Sequence, residues 1–217
     1  MCLWTGARTP QCGNTDLELI SLDSRGLAEI VTHIFNPPVV AAPTFLYLIL
    51  LERQTNPAIL AFITLFFATI LPLIMVVVLT RRGILPDIWA SERESRVIPF
   101  TGAIISYLLG AATLMAARSP AAITSLMLCY VGNTVIMMLI SLRWKISVHG
   151  SGIAGPVAAL IYLLGSVAVP LLLLILLVGW ARLELKAHTI AQVATGALLT
   201  ILTTWVQMGV YSSRVWP

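Results

Sequence analysis

A polytopic, all-α membrane helix bundle of six or seven transmembrane segments is what these residues encode, on three grounds. The chain is 59% hydrophobic and only 10% charged, with a mean hydropathy of +0.95. Apolar runs near twenty residues recur along it, the length a helix needs to cross the hydrocarbon layer. Inside lipid every backbone N–H and C=O needs a partner within its own segment, which a helix supplies. This composition is far from that of a soluble globular domain.

The elements follow in order. Residues 1–26 form a polar N-terminal segment without the apolar core of a secretory signal, so no cleaved targeting peptide is expected. Within it, TDLELISL at 15–22 suits a short interfacial helix capped by Thr15, with Glu18 three residues on. Residues 27–217 form a single membrane-embedded helical domain. Its first apolar segment spans 36–51, and Pro37 and Pro38 fit the first turn of a helix, where their missing N–H groups cost nothing. Further segments lie near 57–80, 99–117, 120–142, 150–167, 168–182 and 189–212. The fifth and sixth are divided only by Gly165 and Ser166, so the count is six or seven. Trp89, Trp144, Trp180, Trp205 and Trp216 fall mostly near span ends, as an aromatic belt does. Cys2, Cys12 and Cys129 have no metal-ligand spacing and imply no disulfide framework.

Polar residues gather in three interruptions, at 81–99, 142–152 and 180–188. With seven segments, two spans separate each interruption from the next, so all three share one face of the membrane. That face carries Arg8, Arg25, Arg81, Arg82, Arg93, Arg96, Arg143, Lys145, Arg182 and Lys186, against Arg53, Arg118 and Arg214 on the other. The excess of cations predicts that it is cytoplasmic.

The chain has three histidines. His33 reads as an interfacial anchor, whereas His149 and His188 lie in the polar interruptions beside arginine or lysine. Imidazole can act as nucleophile or acid near neutral pH, and guanidinium forks match phosphate oxygens. Arg182 precedes His188 by six residues, with Ala181 before it and Gln192 four residues beyond His188. Earlier comes Ile146-Ser147-Val148-His149, and before that an arginine-bearing stretch, Glu92-Arg93-Glu94-Ser95-Arg96-Val97-Ile98-Pro99. In order and spacing this resembles the three-part signature of the type-2 phosphatidic acid phosphatase superfamily, which includes membrane lipid phosphatases, acid phosphatases and vanadium haloperoxidases. The motifs read K-x6-R-P, P-S-G-H and S-R-x5-H-x3-D. The first lacks its lysine here, the second keeps serine and histidine, and the third has Ala181 for serine and Gln192 for aspartate.

The resemblance implies that His188 is the nucleophile and His149 the acid that protonates the leaving group. It implies that Arg182 clamps phosphate oxygens, that Arg93 or Arg96 completes the positive lining, and that Ser147 donates to a phosphate oxygen. Lys145 either adds charge or extends to the interface. Gln192 would hold the His188 N–H, and Glu184, four residues before His188, is a substitute for that task. Gly150-Ser151-Gly152 would let the backbone approach a phosphate. Asp87, Glu92 and Glu94 read as balancing their arginine neighbours.

The expected activity is metal-independent hydrolysis of a lipid phosphate, such as phosphatidic acid, or of a polyprenyl diphosphate, through a phosphohistidine intermediate. No cofactor is expected, and no compact carboxylate and histidine cluster of metal-ligand type is present. The expected partners are a lipid phosphate substrate and membrane lipids, not nucleic acid. Two rivals are a catalytically silent phosphatase-like membrane subunit or lipid-binding protein, and an unrelated transporter component. Against the transporter, no Asp, Glu, Lys or Arg falls deep within a span.

Overall fold

The structure, a computed structural model, describes residues 15–53, 56–88 and 92–214, without the side chains of 15–23 and 213–214. Cys2, Cys12, Arg8, Trp89, Trp216, the side chain of Arg214 and the Thr15–Glu18 cap therefore lie outside what it describes. Helix α1 runs Thr15–Ile34 and α2 runs Pro37–Leu51. A continuous rod follows, from α3 (Pro57–Leu65) through a π turn (Phe66–Ile70) into α4 (Leu71–Arg81). A 3-10 turn at Glu94–Arg96 leads into α5 (Val97–Ala116), and α6 spans Ala121–Ser141. Then come α7 (Val148–Leu164), a 3-10 stretch at Gly165–Leu171, α8 (Leu172–Glu184) and α9 (Ile190–Arg214). Among the described residues five helices are long and apolar enough to cross a membrane, or six if the bent pair of Ser24–Ile34 and Pro37–Leu51, inclined at 54°, makes one span.

One of those five, Val148–Glu184, is 37 residues by continuity. It is not a single rod, because α7 and α8 pack against each other. The reversal sits at Gly165, whose φ of +67° ends α7 in a conformation that side-chained residues rarely adopt. Ile153 and Val157 of α7 share a buried cluster with Val178 of α8 and Val40 of α2. The break expected at Gly165 and Ser166 is thus a turn, and it leaves the start of α7 and the end of α8 at the same end of the bundle.

The expected segment at 36–51 emerges as the 15-residue α2. At about 1.5 Å per residue that is too short to cross about 30 Å of hydrocarbon. The helix expected within 15–22 is the first part of the longer α1, which packs along α8. Its Ser24 Oγ donates to Glu184 Oε1 at 2.8 Å.

The π turn has a local cause. Pro72 lacks an N–H and its ring crowds the carbonyl one turn back, so the helix widens just before it. Ser106 Oγ of α5 donates to the Phe67 carbonyl at 2.6 Å, satisfying a group in the widened turn. Helix α7 is the axis of the fold, with an unbroken buried run from Ile153 to Ala159 and packing against α2, α6, α8 and α9.

Candidate functional site

The start of α7, the start of α9, the end of α8 and the approach to α5 converge at one end of the bundle. Ser147 caps α7, its Oγ accepting from Gly150 N at 3.2 Å. Its own N–H donates to the Gln192 carbonyl at 3.2 Å, tying the loop before α7 to the first turn of α9. Glycines permit this approach. A Cβ on Gly196 would meet the Ser147 carbonyl oxygen at 2.7 Å, and one on Gly150 would meet the Val193 carbonyl oxygen at 3.3 Å. Gly152 packs against Pro37 of α2. Gly150 and Gly152 lie within the first turns of α7, where both serve helix packing.

The six-residue interval between Arg182 and His188 also has a structural basis. Helix α8 ends in a Schellman turn: Ala187 N donates to the Arg182 carbonyl at 3.1 Å and Lys186 N to the Leu183 carbonyl at 2.9 Å. Lys186 takes the left-handed position at φ +50°. The next residue, His188, also donates its N–H to the Arg182 carbonyl, at 3.4 Å, so the turn folds the histidine back onto the end of α8.

Four ionisable side chains are buried here: Arg96 at 3% exposure, His149 at 5%, Arg182 at 7% and His188 at 8%. His149 lies within electrostatic reach of Arg182, His188 and Arg96, and also of His33. His188 lies within reach of Arg182, Arg96 and the half-buried Lys145. Burial and the neighbouring Arg182 push the His188 imidazole down to about 4, against a smaller opposing effect of its hydrogen bond to Gln192. Its ring is therefore neutral at pH 7.

Gln192 has two tasks. Its Oε1 lies 3.1 Å from His188 Nδ1 and accepts from Thr189 N at 3.1 Å. Thr189 Oγ1 in turn accepts from Gln192 N at 3.3 Å. The reciprocal pair is a capping box that opens α9, Thr189-x-x-Gln192. Because an amide oxygen can only accept, the contact assigns the His188 proton to Nδ1 and leaves Nε2 as the basic nitrogen. Glu184 is elsewhere, engaged by Ser24.

The structure separates the two arginines that the first motif left open. Arg96 donates through Nη1 to the Ile146 carbonyl at 2.9 Å and sits inside the site. Arg93 is half-exposed, paired with Glu94 at 2.6 Å, and donates to the Arg143 carbonyl at 2.8 Å. It is held at the half-exposed rim by these contacts. Asp87, expected only to balance nearby arginines, acts on both Arg96 and Arg182. Thr189, not among the expected site residues, caps α9, a role legible in its T-x-x-Q spacing.

Among the described residues no group of three or more His, Cys, Asp or Glu side chains is placed to hold a metal ion. The arrangement instead offers cationic donors and two imidazoles. The buried Nε of Arg182 has no hydrogen-bond partner among the described residues, a costly state that an anionic ligand would relieve. The positive end of the α7 dipole adds to the same field. The chain matches no family model, no curated protein and no solved structure.

Proposed function

We propose that the chain is a membrane lipid phosphatase that works like the type-2 phosphatidic acid phosphatases its motifs resemble. One observation carries the reading: two buried arginines, Arg96 and Arg182, lie within electrostatic reach of two buried histidines, with the Arg182 Nε lacking a partner among the described residues. Buried cations are costly unless an anion joins them. A phosphate dianion fits the charge and the fork geometry of the guanidinium groups.

In this reading Nε2 of His188 attacks phosphorus while Nδ1 keeps its proton and donates it in the hydrogen bond to the Gln192 oxygen as the ring becomes cationic. The bond from phosphorus to the lipid oxygen breaks, and His149, which the bound phosphate dianion holds in its protonated form, gives its proton to that oxygen. Water then attacks the phosphohistidine. His149 takes a proton from it, the P–N bond breaks and His188 returns to neutrality. Arg96 and Arg182 hold the equatorial oxygens, where charge accumulates in the transition state. Ser147 and Lys145 border the same oxygens. The cation-rich face that bears the site is the cytoplasmic one on the positive-inside rule, so a lipid phosphate made in the cytoplasm is the favoured substrate.

The test is phosphate release by the purified protein in detergent with no added divalent cation. His188→Ala and His149→Ala should each lose turnover, and vanadate should inhibit the wild type. Release that survives both substitutions would overturn the reading. The uncharged Gln192 favours one alternative, a silent relative that binds lipid phosphate without hydrolysing it. Binding of the lipid phosphate with no release by the wild type would establish that instead.

A further inference from the structure

A cavity of about 230 Å³ opens from the site into the bundle, with Arg96 and His149 in its wall. Its mouth opens on the outer surface of the bundle. Val77 of α4 and Ile88 just beyond it both line the cavity and remain 40% and 46% exposed on the outer surface. From Arg96 the wall descends along α5 through Pro99, Phe100 and Ala103 to Tyr107. There it stops. Tyr107 packs edge-on against Tyr130 of α6, ring centroids 5.4 Å apart, and Tyr130 lies against Phe45 of α2 at 5.7 Å. Below this floor Ala111, Leu114 and Ile123 are buried in the main core, which closes the far end.

We propose that this cavity seats one hydrocarbon tail of the substrate and that the Tyr107–Tyr130 pair sets the tail length it accepts. The proposal rests on the phosphatase reading for the head group, and adds which lipid the site selects. Arg96 to Tyr107 covers three helical turns, about 16 Å, room for roughly twelve extended methylenes. On α6 Met137 and Leu126 line the same depth. A tail of about twelve carbons thus reaches the floor, and a longer one has to leave part of its length in the bilayer. The apolar wall gives the binding energy, and the closed floor gives the selectivity. A saturated medium-length chain therefore gains from every methylene, whereas the far units of a long polyprenyl chain gain nothing.

The experiment uses full-length protein in detergent and a series of n-alkyl monophosphates from six to twenty carbons. For wild type, kcat/KM for phosphate release should rise about fourfold per methylene and stop rising near twelve carbons. Ala103→Phe, one turn above the floor, should bring that break roughly four carbons earlier, and Tyr107→Ala should move it later. A variant that merely folds poorly lowers the whole series without moving the break. A rise that continues to twenty carbons, or a break that neither substitution moves, overturns the proposal. If no alkyl phosphate is hydrolysed, the phosphatase reading fails, and dodecyl phosphate with a terminal diazirine decides the tail seat alone. Crosslinks at Tyr107, Leu126, Cys129 or Tyr130 sustain it, and crosslinks confined to outer-facing residues reject it.

Discussion

Gln192 shows how much one side chain settles. As the third residue of α9 it completes a capping box with Thr189, a role that suits glutamine or glutamate. The same oxygen lies against His188 Nδ1, so the cap that starts the helix also orients the imidazole. An aspartate is one methylene shorter, whereas Gln192→Glu keeps the reach and adds a negative charge. In the ligand-free protein His188 is neutral down to about pH 4, because burial and Arg182 disfavour its cation. On the proposed mechanism the acid limb of kcat/KM should therefore lie near pH 4, below the usual histidine value of about 6.5. Gln192→Glu should move that limb upward, because a carboxylate stabilises the imidazolium. A pH profile of each protein checks both shifts. The same depression has a sign for stability. Between about pH 6.5 and 4 the unfolded chain binds a proton that the folded one refuses, so stability from this group falls as pH drops through that window. The arginines make a second residue-scale prediction. Arg96→Ala should lower kcat/KM by about 10²–10³, and Arg93→Ala, at the exposed rim beside Glu94, by no more than a few-fold; steady-state kinetics on the two variants decide it.

At the scale of elements, the helices meet through polar contacts as well as apolar packing. Between α6 and α9, Asn133 Nδ2 donates to Thr204 Oγ1 at 2.8 Å, while its Oδ1 accepts from Thr203 at 2.8 Å and Gln207 at 3.0 Å. Gly132 leaves the room that Gln207 fills. About one helical turn further toward the site, Ser151 of α7 and Thr200 of α9 share a hydrogen bond of 2.6 Å. Such bonds join helices where lipid offers no alternative partner, each contributing about 0.6–1.7 kcal/mol. Asn133→Ala should destabilise the protein by roughly 1–3 kcal/mol, read from thermal or denaturant unfolding in detergent. Losing this clasp loosens α9, which carries Gln192, so reduced turnover should accompany the lower stability.

For the whole molecule, the turn at Gly165 decides whether a site exists. Were Val148–Glu184 one straight rod, His149 and Arg182 would stand on opposite faces of the membrane. The reversal brings them together, and with it the three polar interruptions meet at one end of the bundle. The orientation of that end is open to a direct experiment. In a background with Cys2 and Cys12 replaced by serine, a membrane-impermeant maleimide should label Arg118→Cys in intact cells. It should label Arg82→Cys only after permeabilisation. The opposite pattern would place the site on the outer face and favour a recycled lipid phosphate as substrate.

Much of this was legible in the residues alone. Apolar lengths define membrane helices because a helix satisfies its own backbone, a local property that needs no partner. The intervals Arg182 to His188 and Ser147 to His149 likewise reflect local structure, a Schellman turn and an N-cap. Other features depended on contacts between distant segments, which one chain of letters does not rank. Arg93 and Arg96 are equivalent by spacing, and only the Ile146 carbonyl, fifty residues on, selects Arg96. Asp87 becomes the shared counter-charge only when tertiary packing brings it within electrostatic reach of Arg96 and Arg182. The first apolar segment proved to be half of a bent pair, since α2 alone is too short for the hydrocarbon layer. The cavity ending at Tyr107 and Tyr130 belongs to no segment, because its walls come from helices far apart in the chain. By itself the sequence determined the helices and the ionisable groups they carry, since both follow from near neighbours. Which of those groups share a site, and how deep the cavity beneath it runs, was decided by tertiary packing, because only packing brings distant side chains together and excludes water from between them.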